Sequence, residues 1–122
     1  MNVNEPDDKN SLKITDFEME HNVSAKTKNY DVKDAAGNIY KFIEGTKIQN
    51  AEVFAGMKTK RPLHDGVPEG LTKQFGGKPE NWQHAKGNVV IDYFGEERKA
   101  EVHWFQEPSI GKVKFIIKRW LE

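Results

Sequence analysis

The last part of the chain alternates apolar and polar residues in three runs that are separated by short turn signals. The runs are Asn88–Phe94, Arg98–Gln106 and Lys112–Leu121, and the connecting sequences are GEE and EPSIG. Alternation with a period of two is typical of β-strands, and connections this short join antiparallel neighbours. The segment therefore predicts a three-stranded antiparallel meander, and the rest of the fold must be built around it.

Upstream segments add strands and short helices. Tyr30–Lys33 and Asn38–Ile43 flank a Gly-containing turn, which is typical of a β-hairpin, and Thr46–Gly56 predicts a further strand. The sequence DGVPEGLTKQFGG predicts a helix that begins near Asp65 and stops at its Gly pair. The sequence KPENWQHAKG predicts a second short helix that ends at Gly87. This order of elements predicts an α+β fold.

Length and composition indicate one folded domain. A chain of 122 residues can bury a single core, and 3 Trp, 3 Tyr and 7 Phe argue against disorder. The polar start of the chain predicts that residues 1–29 form a flexible leader or linker ahead of one domain over residues 30–122. No run approaches the roughly 20 apolar residues of a membrane-spanning helix. The chain has no Cys, which excludes disulfides and thiolate chemistry.

Charge is unevenly distributed along this neutral chain. Residues 1–52 hold 7 Lys/Arg against 10 Asp/Glu, a net −3, and residues 53–122 hold 12 against 9, a net +3. The last predicted strand carries four cations and no acid: Lys112, Lys114, Lys118 and Arg119. A basic stripe on a neutral protein predicts a defined polyanion site, although a solvated strand face accounts for the pattern equally well.

Alternation along the last two strands predicts which side chains share a face. In the last strand Val113, Phe115 and Ile117 form one set, and the other set is Lys112, Lys114, Ile116, Lys118 and Trp120. In the strand before it, Ala100, Val102 and Trp104 form one set and Glu101, His103 and Phe105 the other. If Val102 packs with Phe115, then Glu101 and His103 lie beside the lysines. A one-residue slip in register would scatter the group.

A carboxylate, an imidazole and ammonium groups on one sheet face suit the cleavage of RNA without a metal. One group takes the 2′-OH proton, another protonates the 5′-oxygen, and cations stabilise the charge on the phosphoryl oxygens. His103 is the candidate base or acid, because imidazole titrates near neutrality, with Glu101 as its partner. His84, followed closely by Lys86, is the second candidate proton carrier, and Glu101 is the alternative for that role.

Other interpretations apply to the same residues. A histidine that is only hydrogen-bonded on a sheet face is the commoner explanation for His103, and His64 is a further histidine candidate. Trp104 and Phe105 could stack on a base, but buried tryptophans most simply belong to the core. No histidine pair has the spacing HxxxH, so the sequence predicts no metal site and no cofactor.

Three segments carry a resemblance to a known family. YKFIEGTKIQNAEVFAG, FGGKPENWQHAKG and DYFGEERKAEVHWFQEPSIGKVKFIIKRWL resemble the C-terminal domains of phage minor-capsid and head-morphogenesis proteins. They are also similar to the toxin tips of bacterial polymorphic toxins, including contact-dependent growth-inhibition effectors. These domains belong to the phage branch of the barnase–EndoU–colicin–RelE-like (BECR) nucleases. The resemblance covers roughly residues 40–121, and KPENWQHAKG and AEVHWFQ are its most specific parts.

The resemblance implies short N-terminal helical elements packed on a four- or five-stranded antiparallel sheet. It also implies a metal-independent ribonuclease toxin that acts on tRNA or other RNA, with its active residues on the exposed sheet face. Such a monomeric domain would be delivered by a bacterial or phage system, would act in the cytoplasm of a target cell and would be neutralised by a cognate immunity protein. The neutral net charge departs from the family, many of whose nucleases are basic.

The residues therefore receive these expected roles. The catalytic candidates are His103, Glu101, His84 and Lys114, and the candidate RNA-binding residues are Lys86, Lys112, Lys118, Arg119 and Trp104. The main alternative is a non-catalytic interaction module of a phage head-associated protein. ADP-ribosyl transfer lacks a convincing residue set, and the positive balance of residues 53–122 argues against an immunity protein.

Overall fold

The computed structural model describes residues 12–13 and 30–121, and this part of the chain is mostly β-structure with one short α-helix. The strands are β1 (Leu12–Lys13), β2 (Asp31–Lys33), β3 (Ile39–Phe42), β4 (Gln49–Gly56), β5 (Gln83–Tyr93), β6 (Glu96–Glu107) and β7 (Gly111–Trp120). The helix α1 (Val67–Phe75) and a 3₁₀ turn (Pro79–Asn81) lie between β4 and β5. Of the predicted leader, only Leu12–Lys13 is among the described residues.

Strand β5 is the centre of the sheet. It pairs with β6 along its whole length on one side, and on its other side with β4 near its start and with β3 near its end. Strand β3 pairs with β2, β2 pairs in parallel with β7, and β7 returns to β6. Strands β5, β3, β2, β7 and β6 therefore close a small barrel-like ring, from which β4 and β1 extend.

The interior of the ring is built from alternate positions of the strands. The core residues are Val32, Phe42, Val53, Ala85, Val89, Ile91, Ala100, Val102, Trp104, Phe115 and Ile117. Alternation buries one set of side chains and leaves the intervening set on the outer face, where the candidate site lies. Gly87 belongs to the buried set because a Cβ at this position would lie 2.6 Å from Ile48 and 3.2 Å from the Trp104 ring.

A buried polar chain closes one end of the core. The Trp104 indole donates a hydrogen bond of 2.7 Å to Gln106, and the Gln106 amide donates one of 2.9 Å to Gln83. The Gln83 amide in turn donates to the Met57 carbonyl at 2.9 Å. Each buried amide is thus satisfied, as buried polar groups require, and β5 and β6 are tied to the segment that follows β4.

Helix α1 confirms the first helix prediction. Pro68 lies in its first turn, and Gly76 ends it at a φ of 102°, with the Gly76 N–H donating to Thr72 O at 2.8 Å. The Trp82 indole donates to the Thr72 hydroxyl at 3.1 Å, which attaches the helix to the start of β5.

Other expectations are corrected. The second predicted helix is only the 3₁₀ turn Pro79–Asn81, after which β5 begins at Gln83, because small and apolar side chains then alternate inward on a strand that is paired on both sides. Within the described residues the sheet has seven strands rather than four or five, it includes a parallel pair, and the helix lies between β4 and β5. Helical elements expected ahead of residue 30 fall outside the described residues. The hairpin β2–β3 and the meander β5–β6–β7 are confirmed. No helix in the described residues is long and apolar enough to cross a membrane.

Candidate functional site: a histidine cleft on the outer sheet face

The outward positions of β5 and β6 bring the predicted polar residues into one row. In the antiparallel register His84 lies opposite Phe105, Lys86 opposite His103, and Asn88 opposite Glu101. The inward neighbours of this row are buried in the core, so the row itself faces outward. The sequence therefore correctly placed Glu101 and His103 on one face, and pairing with β5 adds His84 and Lys86 to it.

Aromatic rings hold the two histidines side by side. The His84 ring stacks on Phe105 with a centroid distance of 4.1 Å and an interplanar angle of 16°. Phe54 of β4 lies 4.4 Å from His84 and 5.3 Å from His103, measured between ring centroids. The centroids of His84 and His103 are 5.7 Å apart. Two imidazoles at this separation can both reach a single phosphodiester group.

A cleft of about 370 Å³ opens beside this histidine pair. Its wall combines cationic and apolar side chains: Phe54, Ala55, Arg61, Pro62, Leu63, His64, Val67, His84, His103, Phe105 and Lys118. No carboxylate lines it, the cations Arg61 and Lys118 come from the loop after β4 and from β7, and imidazoles come from the loop, β5 and β6. The cleft, which we call the histidine cleft, thus suits an anion that also carries a planar or apolar group.

Gly56 fixes the loop of residues 57–66 that forms one wall of the histidine cleft. Its φ is 96°, and a Cβ there would lie 2.3 Å from the Trp82 carbonyl oxygen. Its N–H donates to the Arg61 carbonyl at 2.8 Å, and the Thr59 hydroxyl donates to the Gly56 carbonyl at 2.8 Å. The loop is therefore held in a compact turn that places Arg61 and His64 at the cleft.

Glu101 is an ionised partner of His103. Arg119 Nε donates a hydrogen bond of 2.8 Å to one of its oxygens, and His103 Nε2 lies 3.2 Å from the other. Burial by itself would raise the pKa of Glu101, but the hydrogen bonds from Arg119 and His103 outweigh burial and hold this pKa below its usual value. A carboxylate only accepts hydrogen bonds, so Nε2 of His103 carries a proton and Nδ1 is its basic nitrogen in the neutral ring.

The two histidines have different electrostatic surroundings. Burial lowers the pKa of His84 to about 4, and repulsion from His103 and Lys118 acts in the same direction. Burial also lowers the pKa of His103, although Glu101 opposes this change by stabilising the imidazolium. At neutral pH His84 is therefore an unprotonated imidazole, and His103 is the histidine with a built-in counter-ion. Different environments for paired titratable groups are typical of acid–base sites.

Bulges in β7 change which lysine reaches the histidine cleft. The pairing of β6 with β7 shifts twice, between His103 and Phe105 and between Glu101 and Val102. Lys114 falls at the first shift with a φ of 59° and is exposed, and it is not among the residues that line the cleft. Lys118 falls at the second shift and does line it. Lys114 and Lys118 were both expected beside His103, but only Lys118 lines the cleft, because Lys114 falls in the first bulge, where the regular alternation is interrupted.

Two predicted RNA contacts are wrong. Trp104 is fully buried in the core, where its ring packs 5.2 Å from Phe115, so it cannot stack on a base. Lys112 is only 7% exposed because it lies before the first bulge, opposite Gln106 on the inward side. Arg119 is exposed but is paired with Glu101. Lys86 remains on the outer row, with its ammonium group 5.9 Å from the centroid of the Phe54 ring.

The sequence did not reveal how the loop and β4 contribute to the histidine cleft. Arg61 was not singled out, and Phe54 belonged only to a predicted strand. His64 was a weak candidate because an isolated histidine in a loop has no periodicity to place it. The sequence signal that could have indicated this wall of the cleft is a Pro- and Gly-containing loop that carries Arg61 and His64 just before a predicted helix.

Within the described part of the chain, no group of three or more His, Asp or Glu side chains is arranged to hold a metal ion. Comparisons of the chain with protein-family models, with curated proteins and with solved structures found no match in any of the three. The chemistry of the histidine cleft is therefore the basis for assigning a function.

Proposed function

We propose that this protein is a metal-independent endoribonuclease of the toxin type. The observation that carries the proposal is the placement of His84 and His103 side by side at a cleft that also contains Lys118. Two imidazoles with separate environments supply a base and an acid, and the lysine supplies positive charge for a phosphoryl group.

The proposed reaction is an internal transesterification. His84, unprotonated at neutral pH, takes the proton of the ribose 2′-OH, and the 2′-oxygen attacks the adjacent phosphorus. The bond between phosphorus and the 5′-oxygen breaks, and His103, in the imidazolium form that Glu101 stabilises, donates its Nδ1 proton to that leaving oxygen. The products are a 2′,3′-cyclic phosphate and a free 5′-OH, and each histidine ends in the protonation state in which the other began.

The surrounding charges have defined parts in this scheme. Glu101 orients His103 and stabilises its imidazolium, and is therefore a positioning residue rather than a second proton carrier. Lys118 and Arg61 provide the cations for the phosphoryl oxygens, taking the place that the sequence had given to Lys114. The apolar wall at Leu63 and Val67 offers a surface for a nucleobase.

The wider biology belongs to the same proposal. An acid–base site on the outer face of a mainly antiparallel sheet is compatible with the BECR resemblance of the sequence. The domain would then be a monomeric toxin tip of bacterial or phage origin that is delivered into a target cell. It would cut tRNA or another cellular RNA in the cytoplasm, and a cognate immunity protein would cover the histidine cleft.

Incubation of the purified protein with total bacterial RNA in EDTA tests the proposal. His103→Ala and His84→Phe run beside the native protein, with circular dichroism to show that each variant is folded. We expect discrete fragments with 2′,3′-cyclic phosphate ends from the native protein and a loss of about 10²-fold or more from each folded variant.

Intact RNA after incubation with folded native protein, with and without added cell extract, would contradict ribonuclease activity. That result would favour the non-catalytic interaction module instead. Fragments that persist at the native rate with both folded variants would contradict the assigned residues and point to a contaminating nuclease.

A further inference from the structure

A second cleft lies on the same outer face of the sheet. It has a volume of about 360 Å³ and is formed by the connection between β3 and β4 together with the β5–β6 ladder. Its lining residues are Gly45, Thr46, Lys47, Gln49, Asn88, Val89, Val90 and Lys99. We call it the lysine cleft.

The lining of the lysine cleft is suited to an anion. It supplies two ammonium groups, from Lys47 and Lys99, and no carboxylate. Within the described residues, neither ammonium group takes part in an ion pair. Gln49 and Asn88 add neutral amide groups that can donate hydrogen bonds. A phosphate held here would meet two cations and no opposing acid.

The lysine cleft is in line with the histidine cleft. The pair Asn88–Glu101 and then the pair Val90–Lys99 follow Lys86–His103 along the same antiparallel ladder. His103 and Lys99 are four residues apart on one strand and point to the same outer side, which places their Cα atoms about 13 Å apart. A nucleic-acid strand with one phosphate at the histidines could place a later phosphate at the lysines.

We propose that the lysine cleft binds a second backbone phosphate of the RNA that is cut at the histidine cleft. The proposal rests on the ribonuclease function proposed above and defines its substrate class. The substrate is an oligonucleotide strand, because a dinucleotide has a single phosphate and cannot occupy both clefts. Lys47 and Lys99 position the strand and do not take part in the chemistry.

The test compares short and long substrates in the variant Lys47→Ala/Lys99→Ala. One substrate is a dinucleotide of the step at which the native protein cuts, and the other is a DNA hexamer with that same step as its only ribonucleotide site. A matched control, Lys33→Ala/Lys73→Ala, removes two exposed lysines that line neither cleft. Binding of the all-deoxy hexamer and dinucleotide, which cannot be cleaved, is measured beside cleavage by fluorescence anisotropy.

We expect the double variant to lose about tenfold in kcat/KM and in affinity for the hexamer. The slope of log affinity against log salt concentration should become shallower by an amount that corresponds to about one phosphate contact. Its action on the dinucleotide should match that of the native protein, and the control should keep native values for both substrates. Equal losses on dinucleotide and hexamer, or no loss on the hexamer, would overturn the lysine cleft as a subsite while leaving the ribonuclease function standing.

A native protein that cleaves nothing would overturn the ribonuclease function itself. The binding measurement then decides the lysine cleft separately. A hexamer that binds more tightly than the dinucleotide only when Lys47 and Lys99 are present supports a polyanion site, and equal binding of both by native protein and variant overturns it.

Discussion

Single residues of β6 and β7 show how far alternation predicts a site. The pattern placed Glu101 and His103 correctly, because β6 runs without a break through both positions opposite β5. It misplaced Lys112, which lies before the first bulge of β7 on the inward side, and Lys114, which falls in that bulge and does not line the histidine cleft. A bulge adds one residue without a strong sequence signal, so a strand that carries one cannot be read by period alone.

The two exposed lysines of β7 give a matched pair of variants. Lys118→Met removes an ammonium group that lines the histidine cleft, and Lys114→Met removes one that does not. We expect Lys118→Met to lower kcat/KM for RNA cleavage by about 10–100-fold, because it removes charge stabilisation of the phosphoryl oxygens. Lys114→Met should stay within about twofold of the native value. Steady-state cleavage of one RNA by both variants checks this, and equal effects would contradict the face assignment.

His84 links the pH to the stability of the fold. Its pKa is about 4 in the folded protein and 6.5 as its ordinary value. Between these two values the unfolded chain binds more protons than the folded one, so the free energy of unfolding rises with pH across that window. The stability that neutral His84 provides is therefore present above about pH 6.5 and is lost as the pH falls toward 4.

His84→Phe removes this titration while keeping a ring to stack on Phe105. Urea unfolding at pH 7 and at pH 4.5 should show a smaller fall in the midpoint for His84→Phe than for the native protein. A residual fall is expected in the variant, because burial lowers the pKa of His103 as well. If both proteins lost the same stability over this range, His84 would not be the buried neutral imidazole that the structure indicates.

At the scale of elements, start and stop residues predicted helix α1 but misassigned the segment that follows it. Pro79 and Glu80 begin a helical turn, yet only the 3₁₀ turn Pro79–Asn81 forms. Gly87 resembles a helix stop, but it lies in the middle of β5. Glycine is required there because Ile48 and Trp104 occupy the space that a Cβ would take. A glycine required by a distant side chain cannot be distinguished from a cap in the sequence alone.

Gly56 determines both the end of β4 and the wall of the histidine cleft. Gly56→Ala adds a Cβ at a φ of 96°, 2.3 Å from the Trp82 carbonyl oxygen, so β4 or β5 must move. We expect a loss of more than about 2 kcal/mol in the free energy of unfolding. Gly37→Ala is the control, because its φ is 91° but no atom lies within 4 Å of the added Cβ. It should cost only about 1–2 kcal/mol, the strain of the left-handed backbone.

Urea unfolding of the two glycine variants measures the difference, and nuclease activity gives a second comparison. Gly37→Ala should keep native activity below its unfolding transition, whereas Gly56→Ala should lose activity because the 57–66 loop shifts. Equal costs for both variants would show that the loop yields easily, and Gly56 would then have no special part in shaping the histidine cleft.

At the scale of the whole molecule, closure of the barrel-like ring depends on long-range pairing. The three-residue strand β2 joins β3 to β7. In its parallel pairing with β7, Val32 lies opposite Phe115, which is far away in the sequence. Local patterns predicted the hairpin and the meander, since their partners are consecutive strands. Nothing local specifies that a short hairpin strand will pair with the last strand of the chain, so a closed sheet of more than five strands was not predicted.

Val32 is the residue on which this closure can be tested. It is fully buried, and it lies opposite Tyr40 on one side and Phe115 on the other. Val32→Ala removes two methyl groups from the junction of three strands, and we expect a loss of about 1–3 kcal/mol in the free energy of unfolding. Ile39→Ala, in the neighbouring strand at a side chain that is 58% exposed, should change it by no more than about 0.5 kcal/mol.

Urea unfolding followed by both tryptophan fluorescence and circular dichroism distinguishes closure from local packing. If β2 closes the ring, Val32→Ala should shift both signals together, because Trp82 and Trp104 are both buried and a small domain with one core unfolds as a unit. A variant in which circular dichroism moves while tryptophan fluorescence keeps its native midpoint would mean that β2 and β3 unfold separately. The sheet would then be an open meander with an attached hairpin, and the histidine cleft would not depend on ring closure.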